Sequence, residues 1–302
     1  MKQKSFIAVI TLVSLDKTCY LSDKNHIESI IKKYNVKVIK TNKLSKYVID
    51  IFFMIDQKTF KNLKLNLKLF LFKGSDVCIQ ESRFRKKKVI ACDMDKTVIK
   101  VETIDLIGEK ILKNNAISDI TKKAMSGEIF YSNSIMQRTK ILKGLSVKKI
   151  KEIAKYIKLT KDVDIVIKTM NKNNTHTMLI SGGYEIFANI IGKKIGFKEI
   201  ISNKPDDRNG ILNGQLKGTI IDGKEKLNYL KKRVTLLKVK KVESMAIGDG
   251  QNDIEMIRYA GLGIAWKGFP KVRETADALA NHNFKSILYF QGYSDKDIIA
   301  NL

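Results

Sequence analysis

Apolar and polar residues follow a mixed strand and helix pattern over the first 84 positions of the chain. Short runs rich in Val, Ile and Thr predict strands over residues 6–13, 36–41, 47–54 and 69–80. Apolar residues three and four positions apart predict helices over residues 24–34 and 57–67. The resulting order, βαββαβ, is typical of a ferredoxin-like sandwich, so we expect residues 1–84 to form a separate α+β domain.

A second pattern begins at residue 85 and alternates short apolar runs with amphipathic segments. It predicts strands over residues 89–92, 177–181, 244–247 and 262–266, helices over 163–171, 184–195, 224–234 and 254–259, a hairpin region over 199–222, and at least one further helix before residue 302. Such alternation favours a parallel sheet with helices on both faces, so we expect a three-layer, Rossmann-like α/β domain over residues 85–302. A helical block at about 102–160 interrupts the alternation and predicts a helical cap.

The first strand of this second domain ends in two carboxylates. Asp93 and Asp95 follow the apolar run Val89–Cys92, and residues i and i+2 of an extended segment point the same way. Ligands of open α/β sheets bind at the carboxyl ends of the strands. Two like charges this close both stay ionised only if a cation lies between them. Such a pair is also common in plain turns, so by itself it leaves both interpretations open.

The residues that follow favour a ligand-binding role of this aspartate pair over a plain turn. The motif Asp93-Met-Asp-Lys-Thr97 has the form D-x-D-x-T. It is followed in order by an apolar run ending in a hydroxyl and two glycines, by a lysine, and by an apolar run ending in acidic residues. These later features are Ser181-Gly-Gly183, Lys226, and Asp249-Gly-Gln-Asn252-Asp253. The ordered set resembles the haloacid dehalogenase-like phosphotransferases, which have a Rossmann-like core of the kind expected above and a cap.

This resemblance implies phosphoryl transfer in two steps. Asp93 would be the nucleophile that forms an aspartyl-phosphate, and Asp95 would protonate the leaving oxygen and then deprotonate the attacking water. It also implies a bound Mg²⁺, held by Asp93, the main-chain carbonyl of Asp95, and Asp249. Asp253 would lie behind these ligands or serve as an alternative ligand.

The same resemblance implies a set of residues around the phosphoryl group. Ser181 would offer its hydroxyl, Gly182 its amide, and Lys226 its positive charge. Asn252 would steady the nucleophile loop. Only its spacing from Asp249 selects Lys226, because this stretch of the chain contains other lysines.

Within this superfamily the chain resembles the phosphoserine phosphatases. Glu102 stands where that family places a carboxylate on the substrate amine, and Arg138 stands where it places an arginine on the substrate carboxylate. The segment 124–131 is similar to the family's cap motif. The resemblance implies Mg²⁺-dependent hydrolysis of O-phospho-L-serine to L-serine and phosphate, the last step of serine biosynthesis.

Three residues depart from the family pattern, and they bear on substrate preference. Lys96 stands where Ser is usual, Met136 where a second Arg is common, and Tyr131 after Phe130 where a charged residue is more usual. One alternative is therefore a phosphatase or phosphotransferase for another small phosphomonoester, such as phosphohomoserine. Another is a regulatory protein with a degenerate core and an N-terminal domain similar to the amino-acid-binding ACT domains. The intact acidic set argues against the second alternative.

Composition and charge bear on partners and location. The net charge of +26 over 302 residues would suit nucleic acid or an anionic membrane. However, the lysines are spread through every segment and are not interleaved with aromatic residues. We expect a solvated surface, a small-molecule substrate, and no nucleic-acid or membrane partner; a homodimer stays open. Three cysteines without metal-ligand spacing, and an apolar run at residues 6–15 too short to span a membrane, favour a cytoplasmic protein.

Overall fold

A computed structural model describes residues 5–70, 72–126 and 128–300 of the chain. Its N-terminal part has the predicted order βαββαβ, in which the four strands are antiparallel and both helices pack on one face. The elements are β1 (Phe6–Ser14), α1 (Lys17–Lys33), β2 (Val38–Ser45), β3 (Val48–Ile55), α2 (Gln57–Leu69) and β4 (Ser75–Glu81). This arrangement is the predicted ferredoxin-like sandwich.

Several boundaries in this part differ from the prediction, and the two largest differences are at α1 and β4. Helix α1 begins at Lys17, well before the first apolar repeat, because the Asp16 side chain accepts a backbone N–H of the first turn and caps the helix. The strand predicted from residue 69 begins only at Ser75, because helix α2 continues to Leu69. Leu71, within that predicted strand, lies outside the described residues.

The remaining strands and helices form the predicted parallel α/β core with a helical cap. The core and cap elements are β5 (Val89–Cys92), α3 (Thr103–Ile107), α4 (Ala116–Ser126), α5 (Tyr131–Ile141), α6 (Val147–Glu152), α7 (Val163–Lys172), β6 (His176–Tyr184), α8 (Glu185–Ile195), β7 (Glu199–Arg208), β8 (Ile211–Lys217), α9 (Gly223–Leu236), β9 (Ser244–Gly248), α10 (Ile254–Tyr259), β10 (Leu262–Trp266), α11 (Pro270–Thr275), β11 (Ala278–Ala280), α12 (Ser286–Phe290) and α13 (Asp295–Ile299). Strands β11, β10, β9, β5, β6 and β7 are parallel in that order, and β8 pairs antiparallel with β7 at the edge.

Strand β5 lies at the centre of this core, and its alternate residues pack against different helical layers. Val89 and Ala91 belong to the cluster that includes residues of α9 and α10, whereas Ile90 and Cys92 belong to the cluster with α7 and α8. This confirms the three-layer prediction. Because β5 lies between β9 and β6, its carboxyl end is at the point where the strand order reverses, which is where such sheets bind ligands.

The N-terminal strands and the core form one sheet of 11 strands. The link is β11, a three-residue strand that the sequence did not predict, which pairs through Leu279 with Val77 of β4. Beside it, the buried carboxylate of Asp76 accepts the Asn281 backbone N–H at 2.8 Å and the Ser286 hydroxyl at 2.7 Å. The division of the chain into domains 1–84 and 85–302 stays a prediction, and the two parts share a continuous hydrogen-bonded sheet.

Arg85 makes a second connection between the two parts. Its guanidinium donates to both carboxylate oxygens of Asp50, at 2.7 and 2.9 Å, and to the Thr11 hydroxyl at 3.0 Å. It also donates to the main-chain carbonyls of Tyr289 and Phe290, at 3.1 and 3.2 Å. Asp50 is only 1% exposed, so its charge depends on this guanidinium for compensation.

The cap is attached to the core by backbone contacts as well as by its chain connections. The N–H of Gly144 donates to the Leu212 carbonyl at 2.8 Å, and the N–H of Leu212 donates to the Leu145 carbonyl at 2.9 Å. The N–H of Val147 donates to the Gly210 carbonyl at 2.8 Å. The segment between α5 and α6 therefore lies along the hairpin β7–β8. In the described ranges, no helix is long and apolar enough to cross a membrane.

We predict that Arg85→Met lowers the free energy of unfolding by about 3–5 kcal/mol, because it leaves the buried Asp50 carboxylate without its counter-charge. Urea unfolding followed by circular dichroism measures the change. The matched control is Arg83→Met, since Arg83 is exposed in the same segment and its replacement should cost no more than about 0.5 kcal/mol. Adding Asp50→Asn to Arg85→Met should recover part of the loss; equal losses in the Arg83 and Arg85 variants would contradict this account.

Candidate active site

The site begins at the carboxyl end of β5, where the chain turns sharply after Asp93. The Asp93 N–H donates to the Ile247 carbonyl at 2.9 Å, which joins the end of β5 to β9. A tight turn over Met94–Val98 follows, and Lys96 within it has a left-handed φ of 55°. The Thr97 hydroxyl donates to an Asp249 carboxylate oxygen at 3.0 Å. Thr97 thus connects this turn to Asp249 at the end of the neighbouring strand.

Lys226 of helix α9 is fully buried beneath this turn, with 0% of its surface exposed. Its ammonium donates to the carboxylates of Asp93 and Asp253, the latter at 2.8 Å. The neighbouring Lys224 and Lys231 are exposed, so the structure brings Lys226, and neither of the other two, to the carboxylates. Burial disfavours the ammonium, but the Asp253 and Asp93 carboxylates outweigh it and raise the pKa of Lys226 above its usual range.

The turn after β9 brings a third carboxylate close to Asp93. One oxygen of Asp253 accepts the backbone N–H groups of Asp249 and Gly250, at 3.2 and 3.0 Å, and its other oxygen accepts from the lysine. Gly248 is required here, since a Cβ on it would lie 2.3 Å from the Asp253 carboxyl carbon. Oxygens of Asp93, Asp249 and Asp253 all lie within 4.8 Å of one another.

The buried carboxylates of this cluster are only partly compensated by the Lys226 ammonium. Burial raises the pKa of Asp93 well above its usual range, against the effect of Lys226 and with further increases from the nearby aspartates. Burial also raises the pKa of Asp249 to about 7, with Asp253 adding to the effect, and that of Asp95 to about 7, with Glu102 adding to it. A cluster of buried carboxylate oxygens suits a hard divalent cation. Asp253 already accepts at both oxygens, so Asp93 and Asp249 offer the freer oxygens.

The end of β6 lies opposite the nucleophile loop and carries Ser181 and Gly182. The Ser181 hydroxyl accepts the Gly183 N–H at 2.8 Å and lies 3.5 Å from the nearer Asp95 oxygen. The Gly182 carbonyl accepts from the Asn203 amide at 2.7 Å and from the Tyr131 hydroxyl at 2.5 Å. A Cβ on Gly182 would lie 2.0 Å from that hydroxyl, so only glycine fits. The cap thus touches the core directly at the predicted phosphoryl-binding loop.

Arg138 of helix α5 points its charge into the same region from the cap. Its guanidinium carbon lies 6.0 Å from the centre of the Tyr131 ring, and only 5% of the residue is exposed. Its nitrogens contact the Ser134 carbonyl at 3.3 Å and the Thr121 hydroxyl at 3.4 Å. Among the residues that the structure describes, no carboxylate oxygen lies within 4 Å of this guanidinium. The hydroxyl of Ser134, one turn away, is also buried without a hydrogen-bond partner.

Glu102 lies where the chain enters the cap. Its carboxylate pairs with the ammonium of Lys96 at 2.9 Å. The next residue, Thr103, donates its backbone N–H to an Asp95 carboxylate oxygen at 2.7 Å. The entrance of the cap and the second aspartate of the D-x-D motif are therefore held together.

The structure thus brings together the predicted residues of the core and places the two predicted cap residues, Glu102 and Arg138, beside them. Asn252 lies in the turn after β9, half-exposed, with its main-chain oxygen against Gly223 at the start of α9. Within the predicted cap motif, Gly127 and the side chains of Met125 and Ser126 lie outside the described residues.

Sequence reasoning missed three residues of this site. Asn203, Tyr131 and Thr103 each contact a predicted residue, at Gly182 or Asp95. A weak signal for Asn203 exists, because the polar pair Ser202 and Asn203 follows the apolar residues Ile200 and Ile201 of β7. Tyr131 was noted only as a departure from the family pattern. No local pattern indicates the contact that its hydroxyl makes.

Comparisons with known proteins identify the family of the chain. The family model described as haloacid dehalogenase-like hydrolase matches residues 90–258. A phosphoserine phosphatase from Saccharomyces cerevisiae is 34% identical over 273 residues, which cover 87% of this chain and 88% of the yeast protein. A phosphoserine phosphatase from Lactococcus lactis is 34% identical over 205 residues, covering 68% of this chain and 95% of that protein.

Solved structures of this family have a similar fold. A haloacid dehalogenase family hydrolase from Salmonella enterica serovar Typhi shares the fold over 94% of this chain and 98% of its own, with a TM-score of 0.79 at 23% identity. A substrate-bound phosphoserine phosphatase complex is 30% identical and has a TM-score of 0.64, over 68% of this chain and 98% of its own. The chain therefore belongs to the haloacid dehalogenase-like hydrolases, in the family of the phosphoserine phosphatases, and it is a phosphatase.

Proposed function

We propose that this phosphatase hydrolyses O-phospho-L-serine to L-serine and inorganic phosphate, with Mg²⁺ and through an aspartyl-phosphate on Asp93. In the cell this would be the last step of serine biosynthesis. The names of the relatives support the substrate. The observation that carries the proposal is the buried Arg138 guanidinium, which has no carboxylate partner among the described residues.

The guanidinium reaches the Asp105 carboxylate only through the Thr121 hydroxyl, which it contacts at 3.4 Å and which donates to Asp105 at 2.6 Å. A buried guanidinium without a direct carboxylate contact is costly, so this arrangement favours an anionic ligand at that position. The substrate's carboxylate is such a ligand, and a guanidinium binds a carboxylate with two parallel hydrogen bonds. Glu102, at the entrance of the cap, would take the substrate amine. Together the two side chains match the two charged groups of an amino acid.

The phosphoryl end would lie over the core residues. Lys226 already has its charge directed at Asp93, and it would offset the negative charge of the phosphoryl oxygens as well. The Ser181 hydroxyl would donate to one of those oxygens in place of its long contact to Asp95. The Gly182 peptide is held by Asn203 and Tyr131, so this loop is rigid before substrate arrives.

The two aspartates of the D-x-D motif would divide the chemistry between them. Asp93 would attack the phosphorus atom, which splits one difficult displacement into two easier ones. Asp95 would give a proton to the leaving serine oxygen and then take one from the attacking water. Its pKa of about 7 suits both roles near neutral pH, since each protonation state is well populated there.

The residues for Mg²⁺ would be the carboxylates of Asp93 and Asp249 and the main-chain carbonyl of Asp95. The buried oxygens and the raised pKa values of the cluster fit a hard cation. When bound, the ion supplies positive charge that helps to neutralise the phosphoryl group. Asp253 would act behind these ligands, by holding Lys226 and the backbone of the Asp249 turn.

Asp93→Asn should abolish turnover while the fold is retained, because the amide is neither a nucleophile nor a carboxylate ligand. Phosphate release from phosphoserine measures the activity, and circular dichroism checks the fold. Asp164→Asn, at an exposed ion pair of helix α7, is the matched control and should keep the wild-type rate. An Asp93→Asn rate near wild type would rule out the covalent mechanism.

A second prediction concerns pH and the cation. The carboxyls of Asp95 and Asp249 have pKa values of about 7 when folded, against about 4 when unfolded, so the folded state binds more protons between these values. Without a divalent cation, the contribution of these groups to the free energy of unfolding therefore falls as pH rises from about 4 to 7. Added Mg²⁺ should raise the melting temperature more at pH 8 than at pH 5, where it competes with protons.

Thermal melts with EDTA or Mg²⁺ at the two pH values measure this effect. Asp249→Asn removes one proposed ligand and should reduce the Mg²⁺-dependent increase at pH 8. An increase of the same size at both pH values, or one unaffected by Asp249→Asn, would argue against a cation at this cluster.

The substrate assignment is tested at Arg138. Arg138→Met removes a charge-assisted contact to the substrate carboxylate and should lower kcat/KM for phosphoserine by roughly 10- to 150-fold. With p-nitrophenyl phosphate, which has no carboxylate, the loss should be no more than a few-fold. Lys226→Met should damage hydrolysis of both compounds, and the exposed Arg258→Met should affect neither. Equal losses on both compounds in Arg138→Met would remove the main support for phosphoserine.

A further inference from the structure

The carboxylate that would bind the substrate amine already has a cationic partner within the chain. The Lys96 ammonium lies 2.9 Å from a Glu102 oxygen, and the two side chains are 36% and 28% exposed. Lys96 also holds a left-handed backbone conformation, with φ of 55°, which non-glycine residues adopt only at a cost in free energy. An internal ammonium thus already pairs with one oxygen of the carboxylate that a substrate ammonium would use.

The Lys96–Glu102 ion pair affects the charge that a phosphate ligand meets in the site. An unpaired Glu102 carboxylate beside the aspartate cluster would repel a phosphate dianion. With Lys96 in place, Glu102 is neutralised whether or not the ligand carries an amine. A ligand without an amine therefore leaves no carboxylate unpaired.

The structure also has space for the Lys96 side chain if a substrate amine displaces it from Glu102. A cavity of about 590 Å³ opens beside it, lined by Asp249, Phe269 and other residues of the strand ends. The Lys96 ammonium is already 5.8 Å from the centre of the Phe269 ring, within cation–π range, so this contact could be kept after the ammonium leaves Glu102. Lys100 and Lys267 line the same cavity.

We propose that Lys96 extends the substrate range of this phosphatase to small phosphomonoesters that carry a carboxylate but no amine, because its ammonium replaces the substrate amine at Glu102. This inference rests on the proposed role of Glu102. A substrate amine forms a contact with Glu102 but has to displace Lys96 from it. The lysine therefore reduces the gain in kcat/KM that an amine gives. Lys96 is thus a specificity-determining residue that touches no reacting atom.

The test compares O-phospho-L-serine with 3-phosphooxypropanoate, the same molecule without its amine. In Lys96→Gln the ratio of kcat/KM for the amine-bearing compound over the amine-free one should rise by about 2- to 5-fold, the range measured for partly exposed ion pairs. Lys96→Arg keeps the charge and should keep the wild-type ratio. Lys96→Asn, whose residue type tolerates the left-handed backbone, should behave as the Gln variant and guards against a folding defect.

Lys100→Gln is the matched control, because it removes a charge from the same loop without touching Glu102. It should affect both compounds alike and leave their ratio unchanged. An unchanged or lower ratio in both Lys96→Gln and Lys96→Asn would overturn the inference.

A further measurement distinguishes failure of the proposed function from failure of the role proposed for Lys96. Both compounds are also measured as competitors of p-nitrophenyl phosphate hydrolysis, so their relative affinities are obtained even if neither is turned over. Absence of phosphoserine hydrolysis by the wild-type protein would refute the proposed function. An amine preference in that competition that fails to rise in Lys96→Gln would refute the role of Lys96.

Discussion

The buried ammonium of Lys226 holds together segments that are far apart in the sequence. It binds Asp93 at the end of β5 and Asp253 before α10, and Asp253 in turn binds the backbone of the turn that carries Asp249. Carboxylates this close would repel one another strongly without a cation among them. The shape of the sheet edge, and therefore the position of the loop that faces the cap, depends on this one positive charge.

Much of this fold could be predicted because strands of a covered parallel sheet are continuous apolar runs. The run 89–92 and the run before Ser181 end directly in their polar residues, so Asp93 and Ser181 could be placed at strand ends. Lys226 lies on helix α9, and only its spacing from Asp249 within the family pattern selected it. β11 could not be found in this way, because three residues carry too little pattern. Tyr131 and the Lys96–Glu102 pair depend on how the cap sits on the core, which no local periodicity encodes.

The N-terminal part is joined to the core near the same sheet edge. Asp76 of β4 accepts backbone N–H groups of the segment after β11, including those of His282 and Asn283. These two residues line the cavity beside Asp249. One buried carboxylate of the N-terminal part therefore fixes one wall of the cavity next to the acidic cluster, which gives this part of the chain a structural connection to the site.

The Gly182 carbonyl accepts hydrogen bonds from two donors, one in the core sheet and one in the cap. Asn203 stays with the sheet, whereas Tyr131 belongs to the cap. Any movement of the cap away from the core would break the tyrosine contact and leave the asparagine contact in place. The sheet alone thus supplies one of the two hydrogen bonds that orient the Gly182 peptide, and the second depends on the position of the cap.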